Sequence, residues 1–314
     1  MKTKKIIPNL WFDPEKFPAE KAVEFYKTVF KNVEIDTIAR YGESGKEIHG
    51  QKPGSVMTVK FSIEGHEFLG LNGGPYFQFN PSVSFFVICK SEEEIDRLWE
   101  KLKENAKVLM PLDKYEWSPK YAWLQDKFGV NWQLMLEKPS TTQQKIIPSF
   151  FFTGKSHGQA EEAVKFYTSV FKNSNIEGIL KYTEEDKNDY ALGMVKHAQF
   201  QLEGQTFMAM DSGIENDFPF SEAISFIIDC QTQEEIDYYW NRLSAVPEAE
   251  QCGWLKDKFG ISWQVVPGTV LNKMMQDPDN EKKERAIASF MQMKKFNLQQ
   301  LKADFEGKTT IINK

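Results

Sequence analysis

The sequence predicts an α+β fold. It consists of two tandem copies of one domain, each built from two βαβββ modules, followed by a C-terminal helical tail. Three observations predict this arrangement. Long segments of the 314-residue chain repeat one another, the order of strands and helix restarts within each copy, and the end of the chain has helical periodicity.

Three blocks establish the repeat. They pair residues 21–32 with 162–173, 91–102 with 232–243, and 123–133 with 254–264. Identical positions number eight of twelve, six of twelve and eight of eleven. Chance would give about two matches over all three blocks at typical residue frequencies. The offset falls from 141 to 131 residues before the third block, so the second copy lacks ten residues there.

These blocks predict a first domain over residues 1–138, a second over 145–270 and a helical extension over 271–314. Proline, serine and threonine between the two copies are typical of a linker. The missing ten residues correspond to part of 107–121, and we expect their loss to reshape one end of the second domain.

Each copy opens with an apolar strand, 6–12 or 146–152. In copy one a helix follows, because the apolar residues of 22–30 recur at helical spacing. Three strand-like runs come next, and the last two are joined by Glu64-Gly65, a hairpin-turn sequence. The order then restarts, with strand, helix and shorter strands that end in 130–136.

The tail has an apolar stripe over 281–305 that predicts one or two helices packed on the body or on a partner. A net charge of −6 argues against broad nucleic-acid binding. No apolar run approaches the roughly 18 residues of a membrane span, and no signal peptide is visible. The three cysteines show no metal-binding spacing. We therefore expect a cytoplasmic protein that binds neither nucleic acid nor membrane.

The sequences AEEAVKFY (160–167), AISF (223–226), EEID (234–237) and CGWLKDKFGISWQ (252–264) resemble the vicinal oxygen chelate (VOC) superfamily. That superfamily includes glyoxalase I, bleomycin-resistance proteins and extradiol dioxygenases. The chain is most similar to the PhnB-like branch, which carries the label 3-demethylubiquinone-9 3-methyltransferase domain. The resemblance implies that the strands curl into cups, and that enzymes of the superfamily hold a divalent metal at the base of the cup.

The resemblance also assigns positions for the metal ligands. The first-strand position falls at Asn9 and Ser149, the fourth-strand position near Asn72 and Asp211, the fifth-strand position near Ser82 and Ala223, and the eighth-strand position at Gln133 and Gln264. Copy one then offers no charged or imidazole ligand, and copy two offers one carboxylate. We expect no tight metal. If one binds, Asp211 and Gln264 are the candidate ligands.

Strand alternation predicts that Gln133 faces a cup if Trp132 packs under the helices. A ligand or a neighbouring strand would satisfy its buried amide. On the opening strands, Trp11 and Phe151 are candidates for an aromatic wall, with core packing as the alternative. The four histidines, His66 among them, are interpreted as surface or turn residues.

The sequence therefore predicts binding of a small apolar or aromatic molecule without a tight metal. The predicted contacts are Asn9, Trp11, Asn72, Gln133, Ser149, Phe151, Asp211 and Gln264. A divalent-metal enzyme and a scaffold that joins subunits through the tail are the alternatives. Methyl transfer is not favoured, because no glycine-rich strand-to-helix loop is present. The two copies should pack as a pseudo-dimer, giving a monomer or a homodimer.

Overall fold

The computed structural model describes residues 4–43, 46, 50–137 and 143–308, and all statements below concern these residues. The first repeat contains β1 (Ile6–Phe12), α1 (Ala19–Val29), β2 (Val33–Arg40), β3 (Val56–Ile63), β4 (His66–Asn72), β5 (Val83–Cys89), α2 (Glu92–Leu102), β6 (Lys107–Tyr115), β7 (Ser118–Gln125) and β8 (Asn131–Leu136). This order confirms the prediction of two βαβββ modules. The predicted linker lies largely outside the described residues.

The second repeat follows the same order with one strand fewer. It contains β9 (Ile146–Phe152), α3 (Ala160–Val170), β10 (Asn175–Lys181), β11 (Val195–Leu202), β12 (Gln205–Asp211), β13 (Ile224–Asp229), α4 (Gln233–Leu243), β14 (Trp254–Lys256) and β15 (Ser262–Val266). Where the first repeat has β6, the second has only a 3-10 turn, Pro247–Ala249. The ten-residue difference in sequence therefore removes an entire strand.

The strands form two mixed sheets, and neither sheet belongs to one repeat. Sheet A has the order β14-β15-β13-β1-β4-β3-β2, and sheet B has the order β10-β11-β12-β9-β5-β8-β7-β6. The repeats join where β1 pairs antiparallel with β13 and β5 pairs antiparallel with β9. Each sheet thus combines one module from each repeat. The domain boundaries inferred from the sequence repeat stay a prediction. They divide the chain between the two repeats, whereas each sheet contains strands of both.

Helices cover one face of each sheet. Alternate residues of β1, such as Leu10 and Phe12, enter a large core shared by both sheets and all four module helices. Asn9 and Trp11, which alternate with them along the strand, point to the opposite face. We call this opposite face the cup face of each sheet.

Two buried carboxylates tie the helices to the last strands. The Asp126 carboxylate accepts hydrogen bonds from the Tyr26 hydroxyl (2.9 Å) and the Trp132 indole (2.8 Å). It also accepts two backbone N–H groups of its own turn. Burial raises the pKa of Asp126 to about 6, against the effect of these hydrogen bonds. Asp257 repeats the arrangement with Tyr167 and Trp263. These contacts place the core tryptophan of each final strand and thereby direct the neighbouring glutamine to the cup face.

The predicted hairpin turn is confirmed. Glu64 and Gly65 both have positive φ, 49° and 76°, as do Glu203 and Gly204 at the equivalent place. Two successive left-handed residues form the tight turn that matches the twist of a two-stranded hairpin.

The interpretation of His66 as a surface residue is wrong. Its side chain is 3% exposed, on the helix side of β4. Neither ring nitrogen has a hydrogen-bond partner among the described residues. Burial and the positive charge of Lys4 lower the pKa of His66 to about 3. His49 lies outside the described residues.

The tail forms α5 (Gly268–Met275), α6 (Asn280–Met291) and α7 (Leu298–Phe305), which confirms the predicted helical extension. Phe296, Leu298 and Leu301 are buried and join the main core, so the apolar stripe packs on the body. Within the described part of the chain, no helix is both long enough and apolar enough to cross a bilayer.

Candidate functional site

Three polar side chains meet at the centre of the cup face of sheet A. Ser225 lies opposite Asn9 in the β1–β13 pair. Its hydroxyl oxygen accepts hydrogen bonds from the Gln264 amide (2.9 Å) and the Asn9 amide (3.3 Å). Asn9 and Ser225 are fully buried, and Gln264 is 8% exposed. We call this group the sheet A triad. It brings together Asn9 of the first repeat and Gln264 of the second.

The triad is incompletely satisfied. The Asn9 carbonyl oxygen, Oδ1, is buried and has no hydrogen-bond partner within the described residues. An unpaired buried acceptor costs on the order of 1–3 kcal/mol, and a hydrogen-bond donor supplied by a ligand would remove that cost. The nearby cup-face charges Lys256 and Lys60 are paired, with Glu222 and with Asp36 and Glu67 respectively.

An aromatic pair spans the cup beside the triad. The rings of Trp11 on β1 and Trp254 on β14 contact edge to face, with centroids 6.0 Å apart. The Trp11 indole donates to the Gly74 carbonyl (2.8 Å), which fixes its orientation. Gly73 lies so close to the indole that a Cβ there would come within 2.3 Å of the ring. Both tryptophans are half-buried, so the pair forms an accessible wall.

The cup face of sheet B holds the equivalent residues in a more closed arrangement, in which both ends of the Gln133 amide are paired. Gln133 donates to Ser84 (2.7 Å), and its carbonyl accepts a hydrogen bond from Tyr121. Ser149 occupies the place of Asn9, opposite Ser84. Its hydroxyl is buried without a partner among the described residues. Trp123 reaches Phe151 at 5.2 Å, which repeats the contact between Trp254 and Trp11.

Sheet B is closed because β6 and β7 contribute side chains that fill its cup. A separate apolar cluster forms there around Phe86, Tyr121 and Trp123, and Leu109 and Met110 of β6 pack against it. Sheet A has no counterpart of β6 and forms no such cluster within the described residues. The two cups therefore differ in access, and sheet A presents the more open face.

Asn72 and Asp211 lie on the helix side of their strands, away from both cup faces. Asn72 Oδ1 accepts the N–H of Ala19 at the start of α1 (2.8 Å). Asp211 accepts the N–H groups of Gly158 (2.8 Å) and Ala160 (3.3 Å) at the start of α3. Burial raises the pKa of Asp211, and these backbone bonds oppose the shift. Both residues therefore cap helices. The sequence had instead predicted that they contact a ligand in the cup.

The residues at the base of the cup do not fit a tightly held divalent ion. The sheet A triad consists of two neutral amides and a hydroxyl, whereas tight transition-metal sites use carboxylate, imidazole or thiolate ligands. Asp211 and Gln264 lie in different sheets. Among the described residues, no group of three His, Cys, Asp or Glu side chains could hold a metal ion.

Sequence reasoning missed Ser225 and Ser84, the shared partners of the site amides. It placed the fifth-strand position two residues earlier, near Ala223 and Ser82. The available signal was alternation, because Ser225 lies between Ile224 and Phe226, which both enter the core. Trp254 was part of the repeat, but its contact with Trp11 depends on the pairing of different repeats.

The family model described as 3-demethylubiquinone-9 3-methyltransferase matches residues 4–135 and again 144–266. A PhnB protein from Bacillus cereus is 38% identical over 44% of this chain and 100% of its own, with a TM-score of 0.37. A protein from Staphylococcus aureus is 34% identical over 43% of this chain and 98% of its own, with a TM-score of 0.18.

Glyoxalase I from Zea mays is 12% identical over 86% of this chain and 94% of its own, with a TM-score of 0.51, and supports the fold alone. No curated protein matches the chain. The chain belongs to the 3-demethylubiquinone-9 3-methyltransferase family, whose model matches it in two tandem copies.

Proposed function

We propose that this tandem PhnB-like protein binds a small, flat aromatic molecule on the cup face of sheet A without a tightly bound metal ion. The observation that carries the proposal is the unpaired, buried Asn9 Oδ1 in a triad next to half-buried tryptophans. Small-molecule sites commonly combine apolar walls with a few convergent polar groups.

Sheet A is favoured over sheet B because its equivalent side chains are less covered. Leu69 and Leu71 on β4 are half-buried on the cup face. Trp254 is half-buried, whereas its counterpart Trp123 is 8% exposed. A ligand on sheet A would therefore bury apolar surface that is now partly in water, at roughly 25 cal/mol per Å².

The chemistry of the triad favours a ligand that donates a hydrogen bond. Ser225 already accepts from both amides, and Asn9 offers a free carbonyl oxygen. A phenolic hydroxyl or a ring N–H would satisfy that acceptor once the side chains that cover Asn9 move aside, while its ring contacts Trp11 or Trp254. The neutral donor set does not favour a divalent-metal reaction, so the metal-enzyme alternative gains no support from these residues.

The test uses 1-naphthol as the probe, with binding measured by isothermal titration calorimetry. Asn9→Ser places at position 9 the residue found at the equivalent position 149. Gln264→Leu removes the neighbouring amide. Loss of the ligand's hydrogen bond to Asn9, worth about 0.5–1.5 kcal/mol, should weaken binding by roughly threefold to tenfold in Asn9→Ser. Gln264→Leu should weaken binding less, because Gln264 acts on the triad through Ser225.

Ser149→Ala is the matched control, because it alters the equivalent position of sheet B. It should leave the affinity for 1-naphthol unchanged. Equal affinities for the wild type and both sheet A variants would contradict the proposal. A loss in Ser149→Ala as large as in Asn9→Ser would move the site to sheet B.

A further inference from the structure

The strand that carries Trp254 lacks the outer neighbour that its counterpart has. In sheet B, β7 lies between β8 and β6, and its pairing with β6 extends from Gln125 to Ser118. In sheet A, the three-residue β14 pairs with β15 alone, at the edge of the sheet. On its other side, the backbone of Trp254 exchanges hydrogen bonds with Gln251, and the Lys256 carbonyl accepts from the N–H of Ala245 (3.0 Å). The position of β14 therefore depends on the turn that precedes it.

The C-terminal tail contacts the turn that leads into β14. The backbone N–H of Cys252 donates to the Met293 carbonyl (2.8 Å), and that of Gly253 donates to the Lys294 carbonyl (2.7 Å). Both donors have positive φ, 51° and 84°, which turns two successive amides toward the tail. These residues directly precede Trp254. The tail segment 291–296 forms no strand, and these bonds reach the turn that leads into β14.

Side-chain packing reinforces the backbone contacts. The Phe296 ring is 2% exposed and lies against Gly253, where a Cβ would come within 2.7 Å of the ring. The Phe296 carbonyl accepts from the Gln233 amide of α4 (3.1 Å). Gln251, on the same turn, donates to the Met291 carbonyl (2.6 Å). The tail therefore fixes the turn that begins β14 from its backbone and from its side chains.

We infer that tail segment 291–296 holds the turn that leads into β14 and thereby positions Trp254 at the sheet A site. Phe296 and Gly253 are positioning residues in this arrangement. The ligand-binding consequence rests on the proposed function, whereas the support of β14 does not. Loss of the tail contact should free β14 and weaken binding without changing the triad.

Hydrogen exchange of the full chain tests the support directly. Phe296→Ala should accelerate exchange of the backbone amides of residues 252–256 by about tenfold or more, because the contact that orders their turn is lost. Phe305→Ala is the matched control, since it truncates another buried tail phenylalanine on α7. It should leave exchange at 252–256 unchanged. Equal exchange in the two variants overturns the inference.

A second pair of variants leaves the tail sequence intact. In Gly253→Ala the Cβ would come within 2.7 Å of the Phe296 ring and within 2.8 Å of the Val265 carbonyl oxygen. Gly260→Ala has a similar positive φ of 94° and meets no atom closer than 3.8 Å. Only Gly253→Ala should accelerate exchange at 291–296 and weaken binding of 1-naphthol severalfold. Faster exchange with unchanged affinity would overturn the positioning of Trp254. If the wild type does not bind 1-naphthol, the proposed function fails, and the exchange comparison still decides the support of β14.

Discussion

Replacing His66 should change how the stability of the fold depends on pH. The pKa of this imidazole is about 3 in the folded chain, because burial and the charge of Lys4 disfavour its protonated form. In the unfolded chain it returns to about 6.5. Below pH 6.5 the unfolded state therefore binds a proton that the folded state refuses. Folding stability is lost as the pH falls from 6.5 toward 3 and is unaffected above 6.5.

The magnitude follows from the linkage relation. Each pH unit within this window costs up to about 1.36 kcal/mol, and the loss between pH 7.5 and 5.0 is about 2 kcal/mol. At roughly 2–4 °C per kcal/mol for a unit of 150–250 residues, the thermal midpoint should fall by about 4–8 °C. His66→Gln and His66→Phe both remove this titration, and Gln is the residue at the equivalent position 205.

The assay compares thermal unfolding at pH 7.5 and 5.0 for the wild type and both variants. Titration of the buried carboxylates is common to all three proteins and cancels in the comparison. The two variants differ in packing and polarity, so their midpoints at pH 7.5 should differ, but both should lose less on acidification than the wild type. The reasoning is refuted if the wild type and the variants lose the same number of degrees.

Two further substitutions test the core and the aromatic wall. Asp257→Asn should destabilise the fold by about 3 kcal/mol, because one amide N–H₂ would face hydrogen-bond donors; an unchanged urea midpoint at pH 7 would contradict this. Gly73→Ala should displace Trp11, and this should change the tryptophan fluorescence and weaken binding of 1-naphthol. Gly178→Ala is the control, because its Cβ meets open space and should have none of these effects. Identical spectra for these two variants would show that Gly73 does not constrain the indole.

The sequence specified the local elements and the direction of the eighth-strand glutamines. Trp132 and Trp263 pack in the core, so alternation turns Gln133 and Gln264 to the cup faces, as predicted. The same rule explains why Asn72 and Asp211 were misplaced. The adjacent residues Leu71 and Met210 lie on the cup side, and a shift of one residue moves a side chain to the other face of a strand.

Pairing of strands from different repeats was beyond the reach of a local pattern. Apolar alternation predicts that β1 is a strand, but its partner β13 is more than 200 residues away. The equivalent strand of the first repeat, β5, has a similar apolar sequence, so the pattern does not distinguish the two partners. The contact between Trp11 and Trp254 and the sheet A triad depend on that pairing. Their residues could be nominated one by one from the sequence, but not assembled into one site.

The exchange of modules makes the sheet, rather than the repeat, the unit in which substitutions act. The strand missing from the second repeat leaves the cup of sheet A uncovered, and that cup also contains Asn9 and Trp11 from the first repeat. Sheet B retains β6 and fills its cup with its own side chains. Two repeats with closely similar motifs thus produce one closed cup and one more open cup. Ligand binding by sheet A should therefore respond to substitutions in both repeats and in the tail. Substitutions confined to sheet B should change the free energy of unfolding more than they change ligand binding.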